Sequence, residues 1–318
     1  MRAVLAKELS GIGSVQLGDL PDPVPGAGQV LVRVRGAGVG PWDVGFLGGG
    51  FPGLVLPFVP GQEIAGVVEA VGDGADSGPG PGPGAGFEPG DRVWGTLFPA
   101  GGGFAELALA SADRMAPMPS GVSFPEAAGL VIGAGTAYEG LVDRGRLHAG
   151  QTVLITAASG GVGSAAVQIA VGLGALVFGV ASAGNHDYLR RLGASEVFDY
   201  HAAGWAQQVR ALVPGGVDLL LDCSGESTRD QAIGVVRNGG RVESIVLAGP
   251  ALPLDRGITG EAFAAHGGRD RLDALTRLIE AGTLRPQTAA VLPLEQARQA
   301  LEQVAGGHTR GKVVLEIG

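Results

Sequence analysis

"TAASGGVGSAAVQIA" (Thr156–Ala170) decides the fold of this chain. The run before it, "QTVLI", reads as a short buried strand, and "SAAVQIAVGLGA" within and after it reads as a helix. A tight turn of glycines and small residues between the two is the first β-α crossing of a nucleotide-binding fold. There, backbone N–H groups and the positive end of the helix face a phosphate. The spacing Ala158-x-Gly160-x-x-Gly163 matches G-x-G-x-x-G with alanine in the first place, and Ser159, Gly161 and Val162 complete the turn. A glycine turn with a purely structural role is the competing reading, so the flanks must decide.

Downstream, strands alternate with helices. "TVLITA", "ALVFGVA", "EVFDY", "VDLLLDC" and "GRVESIVLAG" are strand candidates, separated by helical segments such as "WAQQVRALV" and "RDRLDALTRLIEAG". That alternation predicts an α/β, doubly wound parallel sheet over residues 122–283. Residues 1–121 read differently. "QVLVRVRGAGV", "EIAGVVEAVG", "RVWGTLF" and "FAELALA" are strands punctuated by Gly and Pro. Between two of them, "GDGADSGPGPGPGAGFEPG" reads as an exposed flexible loop. The tail from 284 to 318 reads strand, helix, strand and is expected to rejoin the first domain.

At 318 residues with 45% hydrophobic content, the chain supports two domains with real cores. The net charge of −9 and the absence of a basic stripe argue against nucleic acid or an anionic membrane as partner. The opening "MRAVLAKELSGIG" lacks an apolar signal core, and no apolar run approaches the ~18 residues that span a bilayer. A cytoplasmic protein is the expectation. One cysteine, Cys223, leaves no internal disulfide to form.

The stretches "GQVLVRVRGAGV", "VPGQEIAGVVEAVG", "GDRVWG", "GTAYEGLVDRGRLHAGQTVLITAASGGVGSAAVQIA", "RNGGRV" and "RGKVVLEI" together resemble the zinc-independent medium-chain dehydrogenases/reductases. The likeness runs the length of the chain and is nearest to quinone oxidoreductases and polyketide enoyl reductases. It implies a GroES-like β-barrel domain (1–121 and 284–318), a Rossmann domain (122–283) and a nicotinamide cofactor in the cleft between them. It also implies a homodimer, with "GGRVESIVLAG" as the edge strand that pairs with its symmetry mate.

NAD-specific sites carry an acid about 20 residues beyond the glycines. In "FGVASAGNHDYLRR" no Asp or Glu precedes Asp187. Ser182, Asn185, Arg190, Arg191 and Tyr200 could surround a 2′-phosphate instead, so NADPH is the expected cofactor. Related NADPH enzymes often have lysine at the Asn185 position, and solvation of a helix face is the plainer reading of the two arginines. Cys223, Ser224 and Leu247 complete the expected cofactor site, Cys223 as a packed or cofactor-edge residue.

Zinc-dependent relatives place ligands at the positions of Gly40, Gln62 and near Gly133; none is Cys or His here, so no metal is expected. Some quinone oxidoreductases carry Asn and Tyr at the positions of Gly40, Gly45 and Phe51, and this chain has no protic side chain at any of the three. Gly40, Trp42, Phe46 and Phe51 are then apolar walls for a small-molecule acceptor, with Asp43 structural. Thr136 matches a family threonine beside the nicotinamide, and a helix N-cap is its alternative role. The expected activity is NADPH-dependent reduction of a quinone or α,β-unsaturated carbonyl. An enoyl reductase of secondary metabolism, and a non-catalytic NADPH-binding protein, are the alternatives.

Overall fold

The computed structural model describes residues 1–51, 53–73, 86–247, 252, 254–265 and 267–318. Residues 74–85 of the expected glycine–proline loop, and the end of "GGRVESIVLAG" from 248 on, lie outside the described residues.

In chain order the elements are β1 (Arg2–Ala6), β2 (Val15–Asp19), β3 (Gln29–Val39), α1 (Pro41–Leu47), β4 (Glu63–Val71), β5 (Arg92–Thr96), β6 (Leu107–Ser111) and β7 (Met115–Pro117). Next come α2 (Phe124–Tyr138), which runs on into a π-helical turn over Glu139–Arg144, then β8 (Thr152–Ile155), α3 (Gly161–Gly172), β9 (Leu176–Val180), α4 (His186–Arg191) and β10 (Glu196–Phe198). The chain continues with α5 (Trp205–Leu212), β11 (Val217–Asp222), α6 (Glu226–Gly234), β12 (Val236–Ser244), β13 (Thr259–Ala262), α7 (Arg269–Glu280), β14 (Thr288–Pro293), α8 (Ala297–Ala305) and β15 (Lys312–Glu316).

Two compact units result. The first comprises Met1–Ile132, Gly267–Glu280 and Pro286–Gly318, the second Gly133–His266 and Ala281–Arg285. These bounds depart from 121/122 and 283/284. Helix α7 falls in the first unit, where it contacts β7 and where Arg269 lies 5.2 Å from the Phe87 ring centroid.

The first unit is built on a seven-stranded sheet ordered β14-β15-β3-β4-β5-β7, with β6 also on β3. β3 is long because "QVLVRVRGAGV" alternates apolar and polar before turning small. Two register shifts against β4, at Leu31/Val32 and Val34/Gly36, bend the strand as bulges do. Val30, Val32 and Val34 of β3 join Ile64, Val93, Phe104 and Leu315 in the core, closed by Ala297, Ala300 and Leu301 of α8. Those three α8 positions follow the i, i+3, i+4 spacing of one helix face.

The second unit holds a six-stranded sheet ordered β10-β9-β8-β11-β12-β13, every pairing parallel. Its central strands β8 (TVLI), β9 (LVFGV) and β11 (VDLLLD) are nearly continuous apolar runs, as buried parallel strands are. Strand order reverses between β8 and β11, and ligands of such sheets bind beyond the carboxyl ends at that reversal. The expected edge strand is not an edge. β12 lies inside, because β13, "TGEA", pairs with it from Arg241↔Thr259 to Ser244↔Ala262. Among the described residues β13 is the edge, and no helix is long and apolar enough to cross a membrane.

Candidate active site

Beyond β8 the chain enters the glycine turn through Thr156, and Ala157 takes a left-handed φ of 45°. Ala158 is fully buried and its N–H donates to Val180 O at 3.1 Å, fastening the turn to the end of β9. A side chain thus fits at the first place of the motif. It does not fit at Gly163, where a Cβ would stand 2.6 Å from the Ala158 Cα, closer than real Cβ contacts allow. Close approach of turn and helix therefore requires glycine there. The first amides of a helix have no partner within it, so those of Gly161, Val162 and Gly163 at the start of α3 are left without intrahelical acceptors.

Asp222, at the end of β11, holds this switch point together and was not singled out from the sequence. Its Oδ1 accepts from Thr156 Oγ1 (2.8 Å), from Ser224 N and Oγ and from Gly225 N (3.1 Å each). Its Oδ2 accepts from Ser244 Oγ (2.8 Å), and Cys223 N donates to Thr156 Oγ1 (2.9 Å). One fully buried carboxylate thereby ties the carboxyl ends of β8, β11 and β12. An acid closing the apolar run "LLLD" (Leu219–Asp222) is the signal that marks it. Burial, with Asp222 beside it, pushes the half-buried Cys223 thiol far above its ordinary value. Ser224 is exposed, and Leu247 is 61% exposed.

The carboxyl ends of β9 and β10 bring Ser182, Asn185 and Tyr200 to one side of the sheet. The strands pair at Val180↔Phe198, and Ala181 N donates to Phe198 O (3.0 Å). Asn185 Nδ2 donates to Ser182 Oγ at 3.1 Å, so the two side chains form one polar patch. Arg190 is paired with Asp187 (3.0 Å) on the exposed face of α4, and Arg191 is exposed beside it.

In the first unit, α1 starts at Gly40, whose N–H donates to Asp43 Oδ2 (2.9 Å). Asp43 Oδ1 accepts from Gly61 N (3.0 Å), so this buried carboxylate clips the Gly40 turn to the Gly61–Gln62 turn. Burial pushes Asp43 up to about 7, against the pull of the two backbone N–H groups and of Lys312. Lys312 Nζ donates to Val39 O (3.1 Å) and to Glu63, and sits 4.6 Å from the Trp42 ring centroid. Glu63 Oε2 accepts from Ile132 N (2.7 Å). A Cβ at Gly40 would run into the Trp42 indole, so the tryptophan lies where a larger residue 40 would stand.

Phe46 and Phe51, expected as walls, are joined by Phe58 and Phe98, which sequence reasoning missed. Phe46 meets Phe51 edge-on at 5.0 Å and Phe58 at 6.2 Å, and Phe98 lies 5.9 Å from Phe46 and 6.0 Å from Phe51. Gly45 faces open space.

Two polar side chains here have no partner among the described residues. Both Nε2 and Oε1 of the fully buried Gln62 are unsatisfied, as is Trp42 Nε1. Each such group costs about 1–3 kcal/mol. Thr136 lies deep within α2, 7% exposed, which excludes the N-cap role.

The positions at which zinc-dependent relatives hold metal do not fit zinc. Gly40 and Gly133 supply no side-chain donor, Gln62 offers a neutral amide, and the described residues contain no group of three His, Cys, Asp or Glu that could hold an ion.

The chain is similar to known proteins along its length. Residues 26–120 match a family model described as the alcohol dehydrogenase GroES-like domain, and residues 192–315 match one described as zinc-binding dehydrogenase. A quinone oxidoreductase of Mus musculus is 31% identical, covering 99% of this chain and 97% of its own. The synaptic vesicle membrane protein VAT-1 homolog of Mus musculus is 31% identical over 100% of this chain and 84% of its own. Among solved structures, an NAD-dependent alcohol dehydrogenase has a TM-score of 0.88 and 31% identity over 100% of both chains.

Proposed function

The chain belongs to the medium-chain dehydrogenase/reductase family, quinone oxidoreductase-like, and on that premise we propose that it is an NADPH-dependent, metal-independent reductase of quinones or activated enones. The observation that carries the acceptor class is the accessible ring pair Phe51–Phe98, backed by the buried Phe46, which can meet a planar acceptor while Gly40, Gly45 and Phe51 offer no proton. The bound pyridine nucleotide supplies a hydride. The chain's own part is to hold the pyrophosphate on the turn Ala158–Gly163, to place the acceptor against its aromatic wall, and to leave the single proton that follows the hydride to water. A quinone or enone suits this division, because its reduced form tolerates negative charge before protonation. A simple ketone gives an alkoxide that needs a proton at once.

The phosphate preference is supported by the Ser182–Asn185 patch at the end of β9 and by the pairing of Asp187 with Arg190 on the neighbouring helix. Thr136 is the hydroxyl we assign to orienting cofactor or acceptor oxygen. The test is NADPH oxidation against benzoquinones, naphthoquinones, enones, enoyl thioesters and simple ketones, with calorimetric affinities for NADPH and NADH. Fast turnover of quinones or enones and tighter NADPH are expected. Selective turnover of enoyl thioesters favours the enoyl reductase reading. Binding without turnover of any acceptor leaves a cofactor-binding protein, and tighter NADH overturns the cofactor preference.

A further inference from the structure

Gln62 is an anomaly for a residue with no function. Its side chain is wholly buried, and neither end of its carboxamide has a partner among the described residues. A methionine or leucine would fill similar volume without a desolvated amide. The backbone cannot carry the group out to water, because it is fixed on both sides. Gly61 N is held by Asp43 (3.0 Å), while Gln62 O accepts from Leu97 N (2.8 Å) and from Thr96 Oγ1 (3.0 Å).

Those restraints also place the residue beside the aromatic wall. Thr96 Oγ1, bonded to Gln62 O, accepts in turn from Phe98 N (3.1 Å), and the Phe98 ring closes the group with Phe46 and Phe51. On the other side, Asp43 bonds Gly40 N, and the half-buried Trp42, whose own N–H is orphaned, packs against Gly40. Two unused N–H donor groups thus flank one clip next to aromatic rings. A carbonyl oxygen, with two lone pairs on a planar conjugated molecule, is the ligand chemistry that answers both features.

We propose that the Gln62 carboxamide donates a hydrogen bond to the carbonyl oxygen of the acceptor, holding the negative charge that develops there during reduction. The acceptor displaces the side chains that bury the carboxamide to reach it. Preorganised donors of this kind act where charge appears and need no proton transfer of their own. This inference rests on the reductase reading for the identity of the acceptor.

The test uses the full chain with glutamine-selective ¹⁵N labelling, NADP⁺ and 1,4-naphthoquinone, a mixture that cannot turn over. The Gln62 side-chain amide signals, assigned by their loss in Gln62→Met, are expected to shift on addition of the quinone. With NADPH, Gln62→Met is expected to lose about 100–1000-fold in turnover, with unchanged NADP⁺ affinity and a melting temperature equal to or above that of the parent. Unmoved amide signals, or Gln62→Met turning over naphthoquinone as fast as the parent, overturn the proposal. Shifted signals in a protein that oxidises no NADPH sink the reductase reading while leaving the carbonyl contact standing.

Discussion

At the scale of single residues, two side chains separate chemistry from architecture. Thr136 is 7% exposed within α2, so its hydroxyl has no cap to make. Valine keeps its shape. If Thr136 orients cofactor or acceptor, Thr136→Val loses about 100–1000-fold in turnover on the best acceptor with little change in melting temperature. Unchanged turnover would assign the residue to packing. Glu243, 1% exposed on β12, is pushed by burial from 4.5 up to about 7, with Arg241 3.4 Å away and its Oε2 unpartnered. The folded chain therefore keeps a proton that the unfolded chain releases, so stability falls as pH rises from about 4.5 to 7 and levels off above. Asp43 acts in the same direction. Unfolding free energies from denaturant melts taken from pH 5 to 8 are expected to fall by roughly 1–3 kcal/mol, and Glu243→Gln to flatten part of that slope; parallel curves for parent and variant would dismiss Glu243 as its source. Neither Glu243 nor the orphaned Gln62 was legible in the sequence, because burial of a polar residue depends on tertiary neighbours.

At the scale of elements, the dinucleotide crossing was readable because each local preference agrees. β-branched residues end a strand, small residues allow the turn, and an apolar helix follows. The tight approach of the turn falls on Gly163 and not on the first position, where Ala158 packs without strain. Gly163→Ala would press a methyl group onto the Ala158 backbone. It is expected to cost about 1–3 kcal/mol of stability and to weaken NADPH binding in the same variant, whereas Ala158→Gly should leave affinity nearly unaltered. Calorimetry on the two variants distinguishes them, and equal affinity for both would place the phosphates elsewhere. β13 escaped the sequence reading for the opposite reason. "TGEA" has neither alternation nor an apolar run, and only the neighbouring β12 makes it a strand. The assignment of α7 failed likewise: its amphipathic pattern states that one face is buried, but not in which unit.

At the scale of the whole molecule, the displaced edge changes the argument for self-association. The family resemblance suggests a homodimer, yet the edge available for it is β13, four residues long and largely exposed, not β12. A short edge carrying an acid resists pairing, but Glu261 is engaged by Arg144, whose guanidinium also lies 4.6 Å from the Phe263 ring centroid. The edge is thus less repulsive than its sequence suggests. Strand-edge pairing rests on backbone hydrogen bonds, which salt hardly affects. Two chains of net charge −9 repel each other, and that repulsion is screened within about 10 Å at 0.1 M salt. The dimer, twice the 31.7 kDa chain, should therefore tighten between 20 and 300 mM salt. Light scattering or sedimentation across that range is the measurement. A monomer at micromolar concentration under all conditions would remove the dimer, and association that weakens with salt would place ion pairs, not the β13 edge, at its interface.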